Sequence, residues 1–155
     1  MKAVIQRVSH ASVSVDGNIA GKIEKGMAVL VGISSGDTEN ELRAVAEKMV
    51  GLRIFSDEDD KMNLSLKEVG GKLMVISQFT LYADCRKGRR PSFVNAAGGE
   101  FAKIMYEKFV EICEELMGDK VETGIFGADM KVELLNDGPV TIILNSDELN
   151  IKKHI

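Results

Sequence analysis

Apolar positions in the opening segment alternate and then change phase. In "AVIQRVSHASVSV", Val4 and Val8 share one face of an extended chain, whereas Ala11, Val13 and Val15 fall on the opposite parity. A bulge or bend near Ser9-His10 reconciles the two. Asp16-Gly17 reads as a tight turn, Ile19 and Ile23 alternate on a return strand, and Lys25-Gly26 closes it. "MAVLVGI" is a continuous apolar run, short enough for a strand buried on both faces. The period then lengthens. Thr38 and Glu41 stand at capping-box spacing, and Leu42, Val45, Met49 and Leu52 fall on one helical face. "RIF" is a short strand, and "GGKLMVISQFTLYAD" a central strand opening into a polar end. A second helix runs through "EFAKIMYEKFVEICEELMGD", with Phe101, Met105, Phe109, Ile112 and Leu116 as its apolar stripe and Gly118 placed to stop it. "VETGIFGADMKVELLNDGPVTIIL" supplies two or three strands, with Asp137-Gly138 in a hairpin-turn position. Residues 145–155 read as a loose tail. Strands, helix, strand, helix, strands: this order predicts an α+β fold with a mainly antiparallel, curved or barrel-like sheet and two main helices, in a single domain over residues 1–144.

One residue resists that pattern. Pro139 follows the turn glycine at the mouth of an apolar strand, although it has no N–H for a sheet ladder and prolines in strands keep to edges and bulges. The chain has only 2 prolines, so the placement asks for a reason.

Composition narrows the class. At 155 residues, 45% hydrophobic and 28% charged, the chain has the profile of an ordinary soluble domain large enough to bury a core. The start lacks the apolar run of a signal peptide, and no stretch approaches a membrane span. Neither Cys85 nor Cys113 belongs to a CxxC pair; free thiols and a cytoplasmic location are expected. Net charge is −4, yet "CRKGRRPSF" gathers Arg86, Lys87, Arg89 and Arg90 in one loop beside Phe93. Such a run is either a solvated loop or a docking point for phosphates. The acidic loop "SDEDDKMN" does not suit calcium: counted from Asp57, Met62 stands where an EF-hand loop needs glycine.

Familiar catalytic machinery is missing. The 2 histidines are His10, in the first strand, and His154, in the tail, and neither neighbours a nucleophile elbow. No P-loop or dinucleotide fingerprint occurs, and no His or Cys spacing suits zinc. An enzyme built from this chain would rely on positioning and backbone dipoles.

"SQFTLYAD" (Ser77 to Asp84) and "NDGPVT" (Asn136 to Thr141) resemble the paired signature motifs of the D-aminoacyl-tRNA deacylases, the D-tyrosyl-tRNA(Tyr) deacylase family. "IQRVSHASVSV", "RIFSDEDDKMNLSL", "RPSF" and "FGADMKVELLNDGPVT" agree, so the resemblance runs from Met1 to about Leu144. It implies a homodimer with its active site at the subunit interface, hydrolysis of the ester joining a D-amino acid to the 3′ end of tRNA, and no metal or organic cofactor. Ser77, Gln78, Phe79 and Thr80 match the catalytic pocket motif. Gly138-Pro139, with Asn136, matches a cis dipeptide that one subunit inserts into the other's pocket, and Phe126 and Met130 match positions lining it. The basic residues Arg86, Lys87, Arg89 and Arg90 are candidates for tRNA contact.

The implied chemistry suits a chain without the usual side chains. Carbonyls of the inserted dipeptide would hold the substrate's amino group, so that an L side chain meets the backbone wall while a D side chain points out. Glycine has no side chain to reject, and glycyl-tRNA is expected to be cleaved as well. N–H groups near Phe79 and Thr80 would stabilise the oxyanion. Thr80 has no evident base to activate it, which favours a positioning role with the terminal ribose 2′-OH assisting. The competing reading is a non-catalytic tRNA- or RNA-binding module using the basic loop.

Overall fold

The first strand organises the molecule. In the computed structural model, which describes residues 1–151, β1 (Lys2–Val15) is 14 residues long and carries strands on both edges. β8 (Lys131–Asn145) runs antiparallel along nearly all of one edge, from Lys2↔Asn145 to Ser14↔Lys131. The other edge is shared. β2 (Asn18–Ile23) pairs antiparallel with Ala11 to Val15, and β3 (Gly26–Gly32) antiparallel with Lys2 to Val8. β2 and β3 therefore run in one direction, and at Lys25-Gly26, where the return strand was expected to close, the chain passes into β3 without reversing. Gly26 answers to a different constraint: a Cβ there would lie 1.8 Å from the Lys72 carbonyl oxygen.

β3 pairs in parallel with β6 (Lys72–Ser77), and β6 in parallel with β7 (Glu122–Thr123), so the sheet is mixed. β2 packs back against β7, which nearly closes the sheet into a barrel. The α+β class expected from the element order is the one observed. β4 (Phe55–Ser56) and β5 (Met62–Leu64) form a separate ribbon. Between them the acidic loop folds on itself: the Asp57 carboxylate accepts from the N–H groups of Asp59 at 2.9 Å and Lys61 at 3.0 Å.

The chain builds two apolar clusters. α1 (Glu39–Gly51) and α2 (Gly99–Met117) cover one face of the sheet, packing Leu42, Val45, Met49, Phe109 and Ile112 against Ala3, Ile5, Val29, Leu73 and Val75. Inside the curl lie Val8, Ala11, Val13, Ile23, Met74 and Ile76. Leu73 to Ile76 of β6 thus alternate between the two clusters and are all apolar, as the middle of a strand buried on both faces should be. The phase change in β1 is real. Ala3 and Ile5 serve the first cluster and Val8, Ala11 and Val13 the second, with the register to β8 slipping on both sides of Val8.

The capping box of α1 forms: the Thr38 N–H donates to Glu41 Oε2 at 2.6 Å, and the Asn40 N–H to Thr38 Oγ1 at 3.3 Å. In α2 the expected stripe is corrected by about one position. Phe109 and Ile112 are buried, but Phe101 is 42% exposed, and Ala102, Tyr106 and Cys113 face inward. Tyr106 can be buried because its hydroxyl donates to the Val75 carbonyl at 2.7 Å. Burial also pushes the Cys113 thiol up to about 12. The expected loose tail is anchored at its beginning. The Met1 amine donates to Ser146 Oγ at 2.5 Å and to Asp37 Oδ1 at 2.7 Å, and all three residues are buried. His154 lies outside the described residues.

Candidate active site

A cavity of about 570 Å³ opens where the parallel strands end. Crevices at the carboxyl ends of parallel strands are the usual ligand positions in open sheets. Ser77, Gln78 and Phe79 enter it from the end of β6, Ala102 and Tyr106 from α2, and Phe126 and Met130 from the segment before β8. Five residues singled out in the sequence therefore meet in one place: Ser77, Gln78, Phe79, Phe126 and Met130.

The local geometry follows from the way β6 stops. The Gln78 N–H makes a last ladder bond to the Val31 carbonyl at 2.7 Å. The chain then tightens into a 3-10 helix over Phe79–Tyr82, so "FTLY" is not strand. Amides at a helix start have no carbonyl partner within it, which leaves the N–H groups of Phe79 and Thr80 outside the helix's own bonding. Thr80 is exposed and off the cavity wall; its Oγ1 accepts from Gln78 Nε2 at 2.6 Å. That neighbour is a neutral amide, which cannot take a proton from the hydroxyl.

The back wall is aromatic. Tyr106 lies 5.8 Å from the Phe126 ring. Burial raises the Tyr106 phenol far above its ordinary value, so it is a neutral donor committed to Val75. Asp129 is the one charged residue among those lining the cavity, and its carboxylate is 3.2 Å from Lys131 Nζ. At the mouth, Phe79 and Phe93 meet edge to face, 5.1 Å apart at 70°.

The second motif lies elsewhere. Asp137-Gly138 is not a hairpin turn, because both flanks pair with the same edge of β1: Asn136 stands opposite Val8 and Thr141 opposite Gln6. Asp137 to Val140 bulge outward from a single strand. Local sequence shows the bend, but the length of β1 decides that the chain continues past it. The Gly138–Pro139 bond is cis, and both residues are exposed and off the cavity wall. Asn136 clasps the bulge: Oδ1 accepts from the Val140 N–H at 2.8 Å, and Nδ2 donates to the Val140 carbonyl at 3.2 Å. Arg7 holds it from below, with Nε donating to the Asp137 carbonyl at 2.8 Å and Nη1 to the Ile54 carbonyl at 2.7 Å. Sequence reasoning passed over Arg7 because an arginine in an alternating strand reads as a polar-face residue. Tyr106 was missed for a similar reason, its polar tip placing it off the apolar stripe.

The basic loop is pinched at its base. Asp84 and Ser92 exchange backbone hydrogen bonds of 2.7 and 2.9 Å. Arg86 turns back onto Asp84 through two bonds, of 2.9 and 2.7 Å, which hold that carboxyl below its usual range. Lys87, Arg89 and Arg90 are exposed and enter no ion pair among the described residues. No helix among the described residues is long and apolar enough to cross a membrane.

The cavity is backed by the Tyr106 and Phe126 rings and opens beside the start of the 3-10 helix. The family model described as D-Tyr-tRNA(Tyr) deacylase matches residues 4–145, and the chain belongs to this family of hydrolases, as the two motifs implied. A D-aminoacyl-tRNA deacylase of Clostridium botulinum (strain Eklund 17B / Type B) is 59% identical over 148 residues, covering 96% of this chain and 99% of that one. The deacylase of Clostridium perfringens (strain 13 / Type A) is 58% identical over 146 residues, covering 94% and 97%. Among solved structures, a c-Myc DNA Unwinding Element Binding Protein superposes with a TM-score of 0.88 at 40% identity, covering 94% of this chain and 98% of that one. A probable eukaryotic D-amino acid tRNA deacylase shares the fold, with a TM-score of 0.81 at 16% identity, covering 92% and 97%.

Proposed function

We propose that the protein hydrolyses the ester between a D-amino acid and the 3′-terminal ribose of tRNA, with two copies of the chain completing each site. Water adds to the ester carbonyl, the tetrahedral oxyanion is met by the N–H groups of Phe79 and Thr80, and the ribose oxygen leaves as a hydroxyl. The adjacent 2′-OH assists, and Thr80 positions Gln78. The carbonyls of Gly138 and Pro139, delivered by the second copy, hold the substrate's amino group. An L side chain is then directed into backbone, a D side chain outward, and glycine is not rejected.

The observation that carries this reading is the separation of the two motifs. Ser77, Gln78 and Phe79 line a cavity within the subunit, while Gly138-Pro139 is clasped by Asn136 and Arg7 in an exposed bulge off that cavity's wall. Val132, Leu135 and Ile143, on the same strand, are exposed apolar residues available for an interface. The test is release of free amino acid from matched D-, L- and glycyl-tRNA. Turnover of the D and glycyl forms with the L form spared is expected. Salt-dependent tRNA binding without turnover of any form would instead establish a non-catalytic RNA-binding module.

A further inference from the structure

We propose that the Phe79–Phe93 pair is a stacking seat for the unpaired base that precedes the terminal adenosine of the tRNA; this rests on the deacylase reading. Phe79 is 57% and Phe93 38% exposed, at the mouth of the cavity rather than in either cluster. They meet edge to face, and both rings remain partly exposed rather than covering each other. Both rings stand on fixed backbone. Phe79 opens the 3-10 helix. Phe93 follows the paired Ser92, and its carbonyl accepts from the Ala96 N–H at 3.1 Å.

The surroundings specify the partner. The pinched loop carries Lys87, Arg89 and Arg90 and closes at Ser92, the residue before Phe93, so a cationic loop adjoins the aromatic pair on an acidic protein. Aromatic faces beside a positive track are how single-stranded nucleic acid is held, the rings taking bases and the cations phosphates. A cavity of about 570 Å³ has room for a terminal aminoacyl-nucleoside and little more. The strand leading to it must leave over the rim, which brings the preceding base onto the rings.

The experiment compares a D-aminoacyl-tRNA with the matching D-aminoacyl-adenosine, which lacks that base. Phe93→Ala should lose at least about fivefold more kcat/KM on the tRNA than on the adenosine ester, through KM, and Phe93→Trp should recover most of the difference. A short RNA carrying 2-aminopurine before its terminal adenosine should be quenched by the unaltered protein and not by Phe93→Ala. Equal penalties on both substrates, absence of quenching, or a change in sedimentation mass for Phe93→Ala would overturn the proposal. Failure of the deacylase reading is recognised separately, as no turnover of either substrate by the unaltered protein while quenching persists.

Discussion

Arg7 and Asp137 are 130 residues apart in sequence and joined by a 2.8 Å hydrogen bond from the guanidinium Nε to the backbone carbonyl. The same guanidinium spends Nη1 on the Ile54 carbonyl, and the side chain is only 12% exposed. One planar fork therefore ties the Gly138-Pro139 bulge to the body of the protein.

Arg7→Ala should release the bulge and orphan two carbonyls. The expected cost is about 1–3 kcal/mol in urea unfolding, with a fall in D-aminoacyl-tRNA hydrolysis that persists at temperatures where the variant is fully folded. Arg7→Lys should not restore activity, since an ammonium cannot reproduce the fork. Full activity in a folded Arg7→Ala protein would show that the bulge needs no such support.

Thr80→Ala should retain measurable D-specific hydrolysis, because the group bonded to Thr80 Oγ1 is the Gln78 amide and not a base. Rapid quench with labelled substrate and mass spectrometry is the check. An aminoacyl adduct on Thr80 in the unaltered protein would make Thr80 the nucleophile and overturn this assignment.

Neutralising Lys87, Arg89 and Arg90 together should raise KM for tRNA and flatten its dependence on salt, with kcat little changed. Arg86→Gln should matter less, since its charge is already turned onto Asp84. A large fall in kcat at saturating tRNA with KM unchanged would place the loop in the chemistry.

Hydrolysis should survive strong chelation. Among the described residues no group of three or more His, Cys, Asp or Glu side chains could hold a metal ion, and the oxyanion is assigned to backbone amides. Loss of activity in EDTA, restored by zinc or manganese, would contradict that assignment.

What could be read from the sequence was local. Thr38, Glu41 and the stripe of α1 declare themselves within a few residues, and the phase change in β1 marks its bulge. "SQFT" and "NDGPVT" were legible as motifs, and Ser77, Gln78, Phe79, Phe126 and Met130 do share a cavity. Long-range pairing was not legible. Lys25-Gly26 and Asp137-Gly138 both carry turn chemistry, yet at each the chain runs on in the same direction because β1 is long enough to pair with both sides. Gly26 reflects the close approach of Lys72, a constraint visible only in the folded sheet. The inward turn of Tyr106 depends on a carbonyl 31 residues away.

The central claim is that one copy of the chain completes the cavity of another, and mixed dimers test it most directly. Gly138→Ala spoils the bulge alone: at φ +145° an added Cβ would sit 2.8 Å from both the Val140 N and its Cγ2. Ala128→Trp, on the loop before β8, fills the cavity and leaves the bulge intact. Each variant by itself should be inactive on D-aminoacyl-tRNA. Refolded together in equal amounts, they should regain about a quarter of the wild-type rate, since half the dimers are mixed and each has one cavity served by a sound bulge from its partner. No recovery in a preparation shown to contain mixed dimers would mean that each bulge serves its own subunit or neither, and would contradict the account.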